Sequence, residues 1–308
     1  MCIRDRSCDP SRIQHANGRL MPVDARRLIR KMRGGAQSHL LEASDGNFYV
    51  VKFLNNPQHR RILVNEWLSS VFLQYLGIST PPTAMVRITE EFLLANPDVY
   101  IQLGAERLGV LPGWHFGSRF PGDPRRVIVY DFLPDSLLDR VENHTDFHAV
   151  LVFDKWMGNT DSRQAIFYRA LVKDSAPAPA THPGRLGFVA QMMDNGYVFE
   201  GPQWRFSDSP LYGLYFRKKV YQTVKGLADF EPWLERVRNF PEEVVDQAVK
   251  QIPPEWLAES SGSHSEAEGD RAELESLLEK LLRRRKRVAE LIEECAKGKP
   301  DFFPTWHK

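Results

Sequence analysis

The chain has 308 residues, is 42% hydrophobic, and carries 41 basic against 40 acidic residues for a formal net charge of +1. That composition is globular and suits about two domains or lobes of roughly 150 residues each. It gives no global electrostatic case for nucleic acid or an anionic membrane. No apolar run approaches the roughly 18 residues that a membrane helix needs, and no charged start followed by an apolar core marks a secretion signal. The three cysteines, Cys2, Cys8 and Cys295, show no CxxC spacing. They argue against a disulfide framework or zinc site and fit a reducing cytoplasm.

The opening MCIRDRSCDPSR is polar and unpatterned. Residues 1–24 are expected to be a disordered or non-native leader. Regular signals start near Arg26. RRLIRKM reads as a strand, RGGAQ as a glycine turn, SHLLEAS as a second strand and SDG as a tight hairpin. NFYVVKFL is β-branched and aromatic, which predicts a third strand ending near Lys52. From Arg60 to Leu76, Leu63, Val64, Trp67, Leu68, Val71, Phe72 and Leu76 recur at helical spacing. Gly77 caps that helix, and Pro81-Pro82 prevents its continuation.

TAMVRIT, VYIQL and RRVIVYDFL then read as strands, with FGSRFPGDP as a loop between the last two. SLLDRVEN and DFHAVLVFDKWMG predict helices. QAIFYRALV and the strand in GFVAQMMDNGYVF make a hairpin with a long Pro/Ala-rich tip, KDSAPAPATHPG. Phe206 to Trp256 is expected to be mostly helical. Residues 258–270 read as a polar linker. Ala272 to Ile292 reads as an amphipathic helix with the stripe Leu274, Leu277, Leu278, Leu281, Val288 and Leu291. Its RRRKR run is expected to be a solvated face, since no aromatics interleave to suggest nucleic acid. Trp67 and Trp156 are expected in the core.

Three features carry chemistry when taken together. Lys52 ends a strand, where a bare charge is disfavoured, and Glu66 follows in the next helix. A strand-edge lysine facing water is the competing reading. Gly34 and Gly35 can bring backbone N–H groups to phosphate oxygens, although Gly-Gly is also an ordinary turn and matches neither Walker A nor G-x-G-x-x-G. The polar stretch GNTDSRQ contains Asn159, Asp161 and Gln164 and precedes the hairpin, while Asp194 in MDNG follows it. A turn is the local reading of each. The order of catalytic loop, hairpin and metal-binding aspartate is that of kinase-like phosphoryl transfer. His115, in GWHFGSRF, lies near an expected interlobe connection and reads as a packed loop histidine ahead of an adenine-binding hinge. No G-x-S-x-G, HExxH or dinucleotide fingerprint is present.

RGGAQSHLLEASDGNFYVVKFLNNPQ, NEWLSSVFLQYLG, YDFLP, FDKWMGNTDSRQAIF and MDNGYVFEG together resemble the HipA-like kinase family over about Leu28 to Trp256. MDNG is also similar to the metal-binding turn of type II phosphatidylinositol 4-kinases. The resemblance implies an α+β, bilobal protein-kinase-like fold, with a β-rich N-lobe over 25–120 and a mainly helical C-lobe over 121–257, followed by the linker and a C-terminal segment over 271–308. It implies ATP- and Mg²⁺-dependent transfer of a γ-phosphoryl group to a hydroxyl acceptor, expected to be a protein Ser or Thr. A pseudokinase, or a kinase acting on a lipid or small molecule, are the alternatives.

By position, the resemblance makes Asp161 the catalytic aspartate and Asp194 a metal ligand. Lys52 binds ATP phosphates, with Glu66 as its partner, and Gly34, Gly35 and Gln37 form the phosphate-facing turn. One departure stands out. Such kinases usually carry a metal-binding Asn five residues after the catalytic Asp, and here that position is Ile166. Gln164 and Asn159 offer the nearby amide oxygens that Mg²⁺ accepts. The histidine common after the family's aspartate is also missing, leaving Ser162 and Arg163.

Overall fold

A computed structural model describes residues 22–172, 185–257 and 264–307. The leader over 1–21, the hairpin tip over 173–184 and the linker over 258–263 lie outside the described residues. The chain runs β1 (Val23–Lys31), β2 (His39–Ala43), β3 (Phe48–Lys52), α1 (Arg61–Leu76), β4 (Thr83–Ile88), α2 (Glu90–Ala95), β5 (Tyr100–Leu103), β6 (Glu106–Gly109), β7 (Gly113–Arg119) and β8 (Val129–Tyr130). It continues through α3 (Asp135–Leu138), α4 (Asp146–Met157), β9 (Gln164–Val172), β10 (Arg185–Met193), α5 (Trp233–Arg238), α6 (Glu242–Lys250), α7 (His264–Arg284) and α8 (Val288–Gly298). Among the described residues no helix is long and apolar enough to cross a membrane.

Five strands close a barrel in the order β1-β2-β3-β7-β4, with β4 returning parallel to β1. Leu41, Tyr49, Val51, Phe53 and Val86 fill its interior. The third member of the central run, β7, falls where a loop was expected from Phe116 onward. Its alternation is masked in the sequence by Gly113, His115 and Gly117. Gly117 has a packing reason: a Cβ there would lie 2.6 Å from Val86 Cγ2, inside contact distance. His115 is therefore a buried strand residue rather than part of a loop or hinge. Its Nδ1 accepts the Leu54 N–H at 2.8 Å.

Helix α1 is buried on nearly every face, polar Asn65, Glu66 and Ser69 included. It is held between the barrel and the later helices. Trp67 Nε1 donates to Ala248 O in α6, and Phe72 packs against Phe240 and Trp156. Trp67 and Trp156 are core residues as expected. Gly77 ends the helix in the left-handed region at φ 74°, where glycine has no Cβ penalty.

β9 and β10 pair antiparallel from Gln164↔Met193 to Val172↔Arg185, and two-residue β8 joins that sheet beside β9. The long strand expected in RRVIVYDFL shrinks to β8. Short α2, capped by Thr89 Oγ1 accepting from Phe92 N–H, went unanticipated. Residues 206–256 contain only two short α-helices and isolated 3₁₀ turns.

The C-terminal segment differs most from expectation. Helix begins at His264, inside the proposed linker, and a 3₁₀ turn at Arg285–Arg287 separates α7 from α8. All six stripe residues are buried. The RRRKR run is only partly solvated. Arg284 is buried, bonded to Asp208 and to Lys155 O, and Arg285 donates to Leu282 O and Phe240 O. At the other end of α7, Asp270 and Glu273 each lie 2.6 Å from Arg61 Nη2 at the start of α1.

Candidate functional site

The site forms where the end of β3, the middle of α1 and the end of β10 meet. Lys52 Nζ is 2.5 Å from Glu66 Oε1 and 2.8 Å from Asp194 Oδ1. Burial opposes the lysine charge, yet the two carboxylates outweigh it and raise its pKa. The Lys52 charge in turn holds Asp194 below its ordinary value against the effect of burial. The surface-lysine reading of Lys52 is thereby excluded, since its side chain is only 12% exposed.

Asp194 sits at φ 60°, a left-handed conformation uncommon for an aspartate. Among the described residues no strand follows it, so DNG is not a hairpin turn. Residues 194–204 instead fold back under α1. Asn195 N–H donates to Glu66 Oε1 at 3.0 Å. Asn65 Nδ2 donates to the carbonyls of Gly196, Val198 and Gly201, and its Oδ1 accepts from Trp204 Nε1. Gly196 allows this approach, because a Cβ there would lie 2.8 Å from Ile62 Cγ2.

The GNTDSRQ loop follows from the end of α4. Gly158 caps the helix at φ 62°. Asn159 is fully buried. Its Nδ2 donates to Asp154 Oδ1 at 3.0 Å, and its Oδ1 accepts Asp161 N–H at 3.2 Å. It braces the loop between Asp154 and Asp161. Asp161 is partly exposed, and its Oδ1 accepts Ser162 N–H at 2.7 Å. The loop is anchored to residues 213–214 by Gly213 N–H to Asp161 O and Arg163 N–H to Leu214 O. Gln164 is exposed at the start of β9, opposite Met193 and so one residue from Asp194 in register. Ile166 lies further along, opposite Gln191. Strand β9 thus begins three residues after Asp161, and the loop is too short for the fifth residue to face Asp194.

The register His39↔Val51 places the turn containing Gly34 and Gly35 beyond the barrel end at which Lys52 stands. Gly34 adopts φ 120° with nothing near its Cβ position. The Gln37 side chain bonds to Gln102. Its Oε1 accepts Gln102 N–H at 2.8 Å and its Nε2 donates to Gln102 O at 2.5 Å, tying the turn to the β5–β6 hairpin.

Two residues central to this geometry were not singled out as functional from the sequence. Arg163 was noted only as a departure, and Asp154 not at all. They form an ion pair with both side chains at 0% exposure. Arg163 Nε donates to Asp154 Oδ2 at 2.8 Å and Nη2 to Asp154 Oδ1, while Nη1 donates to Met193 O and Asn195 Oδ1, both at 2.8 Å. Burial disfavours the guanidinium charge, and Asp154 more than restores it. The available signal was a lone Asp in the apolar run VLVFDKW, since a charge inside such a helix needs a partner.

Residues 26–166 match the model of the HipA-like kinase family, the family that the motifs resemble. Among solved structures, the Golgi casein kinase with Mn/ADP bound aligns with a TM-score of 0.43 at 12% identity, covering 94% of this chain and 76% of that one. Another crystal structure of the Golgi casein kinase aligns with a TM-score of 0.45 at 13% identity, covering 95% and 76%. No curated protein matches the chain.

Proposed function

We propose that the chain is an ATP- and Mg²⁺-dependent phosphotransferase, a bilobal kinase that phosphorylates a hydroxyl on a protein Ser or Thr. The observation that carries this reading is the meeting of Lys52, Glu66 and Asp194 from three separate elements. The family match over 26–166 supports it. The lobes are assigned to 25–120 and 121–257.

In this reading Lys52 binds nucleotide phosphates and Glu66 holds its ammonium in place. The residues present suit Mg²⁺. Among the described residues no three His, Cys, Asp or Glu form a metal cage by themselves. A partly exposed Asp194 is the single-carboxylate arrangement that Mg²⁺ accepts when phosphates supply further oxygens. Asp194 would hold the ion, which supplies charge neutralisation at the phosphate oxygens. Asp161 orients the acceptor hydroxyl and receives its proton as oxygen attacks the γ-phosphorus and the bond to the ADP oxygen breaks. Catalysis is then positioning and charge stabilisation. ATP turnover and autophosphorylation by the wild type, Asp161→Ala and Asp194→Ala test this. Loss in both variants is expected, and equal activity in all three refutes it.

Two observations favour a second reading, a pseudokinase. Ile166 lies in strand β9, and the Asn159 oxygen is engaged with Asp161 N–H. Thermal shifts with ATP, with and without Mg²⁺, separate the two. Stabilisation that ignores Mg²⁺, joined to absent turnover, selects the pseudokinase.

A further inference from the structure

The ion pair Arg163–Asp154 joins the two halves of the site. Asp154 accepts from Asn159, whose Oδ1 holds the N–H of Asp161. On the other side, Arg163 Nη1 grips Met193 O and Asn195 Oδ1, the residues flanking Asp194. Asn195 then reaches Glu66 through its backbone N–H. A continuous buried chain of hydrogen bonds therefore runs from the loop of Asp161, through Asp154, Arg163 and Asn195, to the carboxylate that holds Lys52.

Burying such a pair is not an efficient way to gain stability, because desolvation offsets much of the attraction, and apolar replacements of similar size are often neutral. Its geometry suggests another use. A guanidinium is a planar fork with five donors, so it can fix a carboxylate on one edge and two acceptors on another. Those two acceptors straddle Asp194, whose left-handed backbone needs support from its surroundings. The short loop also brings Arg163 to the end of β10.

We infer that Arg163 is a positioning residue that orients the Asp194 carboxylate for its divalent cation and couples that orientation to the Asp161 loop through Asp154 and Asn159. This inference rests on the kinase reading. It assigns a specific use to Arg163, one residue beyond the position, here Ser162, where that family often carries histidine. Groups that support metal ligands in this way typically govern metal affinity by about 10–100-fold.

The test is calorimetric titration of the full chain with ADP, with and without Mn²⁺, for the wild type, Arg163→Met/Asp154→Leu and Asn195→Ala. The double variant removes both charges together, so no unpaired ion is left in the core. Asn195→Ala leaves the ion pair and the Arg163 bond to Met193 O intact and removes the Asn195 Oδ1 acceptor, together with the 3.4 Å contact from Asn195 Nδ2 to Glu66 Oε2. Circular dichroism and melting establish that each variant folds. The expected result is metal-free ADP affinity within about twofold of wild type, with the Mn²⁺-dependent gain reduced by about tenfold or more. A folded variant that keeps the wild-type Mn²⁺ gain overturns the inference and leaves the kinase reading standing. An equal fall in affinity with and without metal overturns it too, since that marks a purely structural role. A wild-type chain that binds no ADP overturns the kinase reading and the inference together.

Discussion

Acid should destabilise this protein through His115, and the size of the effect follows from its surroundings. The ring is fully buried in β7, edge-on to Phe53 at 5.7 Å, with Nδ1 accepting from Leu54 N–H. Burial pushes its pKa from the ordinary 6.5 to about 3, against a smaller opposing effect of the Leu111 backbone. The folded state therefore keeps the ring neutral, whereas the unfolded chain takes up a proton below about pH 6.5. Stability is full above that value and falls as the pH drops towards the folded pKa. Between pH 7 and pH 5, the loss from this one group is about 2 kcal/mol, from 1.36 kcal/mol per unit over roughly 1.5 units. Urea denaturation at both pH values measures it. Other buried histidines, His39 and His148, are also lowered by burial and add to the total, so the comparison must be with His115→Asn. That variant keeps an acceptor for the Leu54 N–H but does not titrate. Wild type should lose about 2 kcal/mol more than the variant over this interval. Equal losses would refute the reasoning, showing that the ring is not held neutral by its surroundings.

Three further outcomes are expected. Lys52→Met strands Glu66, only 3% exposed, without its cation, and should cost about 3–5 kcal/mol in urea denaturation, most of it recovered in Lys52→Met/Glu66→Leu. A single variant as stable as wild type would show that Glu66 has another source of compensation. Gly213→Ala forces a side chain into φ 73° with its Cβ 2.3 Å from Asp154 Cβ, so the melting transition should reflect a loss of at least about 2 kcal/mol. Arg61→Ala removes contacts to Asp270, Glu273 and the Trp204 ring. It should cost about 1–2 kcal/mol and speed proteolytic cleavage of α7 near Asp270, and unchanged cleavage would place the anchoring of α7 elsewhere.

What the sequence makes legible, and what it hides, divides along contact range. Lys52 and Asp194 are visible because each sits at the end of a strand written in β-branched and apolar residues, next to a turn. Helix α1 is visible because its apolar residues recur and Gly77 stops it. Strand β7 is hidden because two glycines and a histidine interrupt its alternation, and its pairing partners lie in β3 and β4. The bonds of the Gln37 side chain are hidden because their partner, Gln102, lies 65 residues away. Arg163 looks like a loop residue for the same reason: its acceptors on Met193 and Asn195 arrive from the far side of the hairpin. The burial of Asn159 and the bond from Asp161 N–H to its amide oxygen are likewise set by how the loop folds. Local pattern thus identifies the residues that end elements, and tertiary contact decides which of their polar atoms are still available.

The C-terminal helices have a consequence in the order of synthesis. Helix α7 grips the first turn of α1 through Arg61, while Arg284 holds Asp208 and Cys295 Sγ donates to Pro210 O, just ahead of the residues that anchor the Asp161 loop. A chain emerging from the ribosome presents its barrel, α1 and both aspartates first, and these braces last. During that interval the Glu66 helix and the 205–214 segment lack their final supports. The lysine and carboxylates are therefore synthesised before the contacts that hold their elements in register.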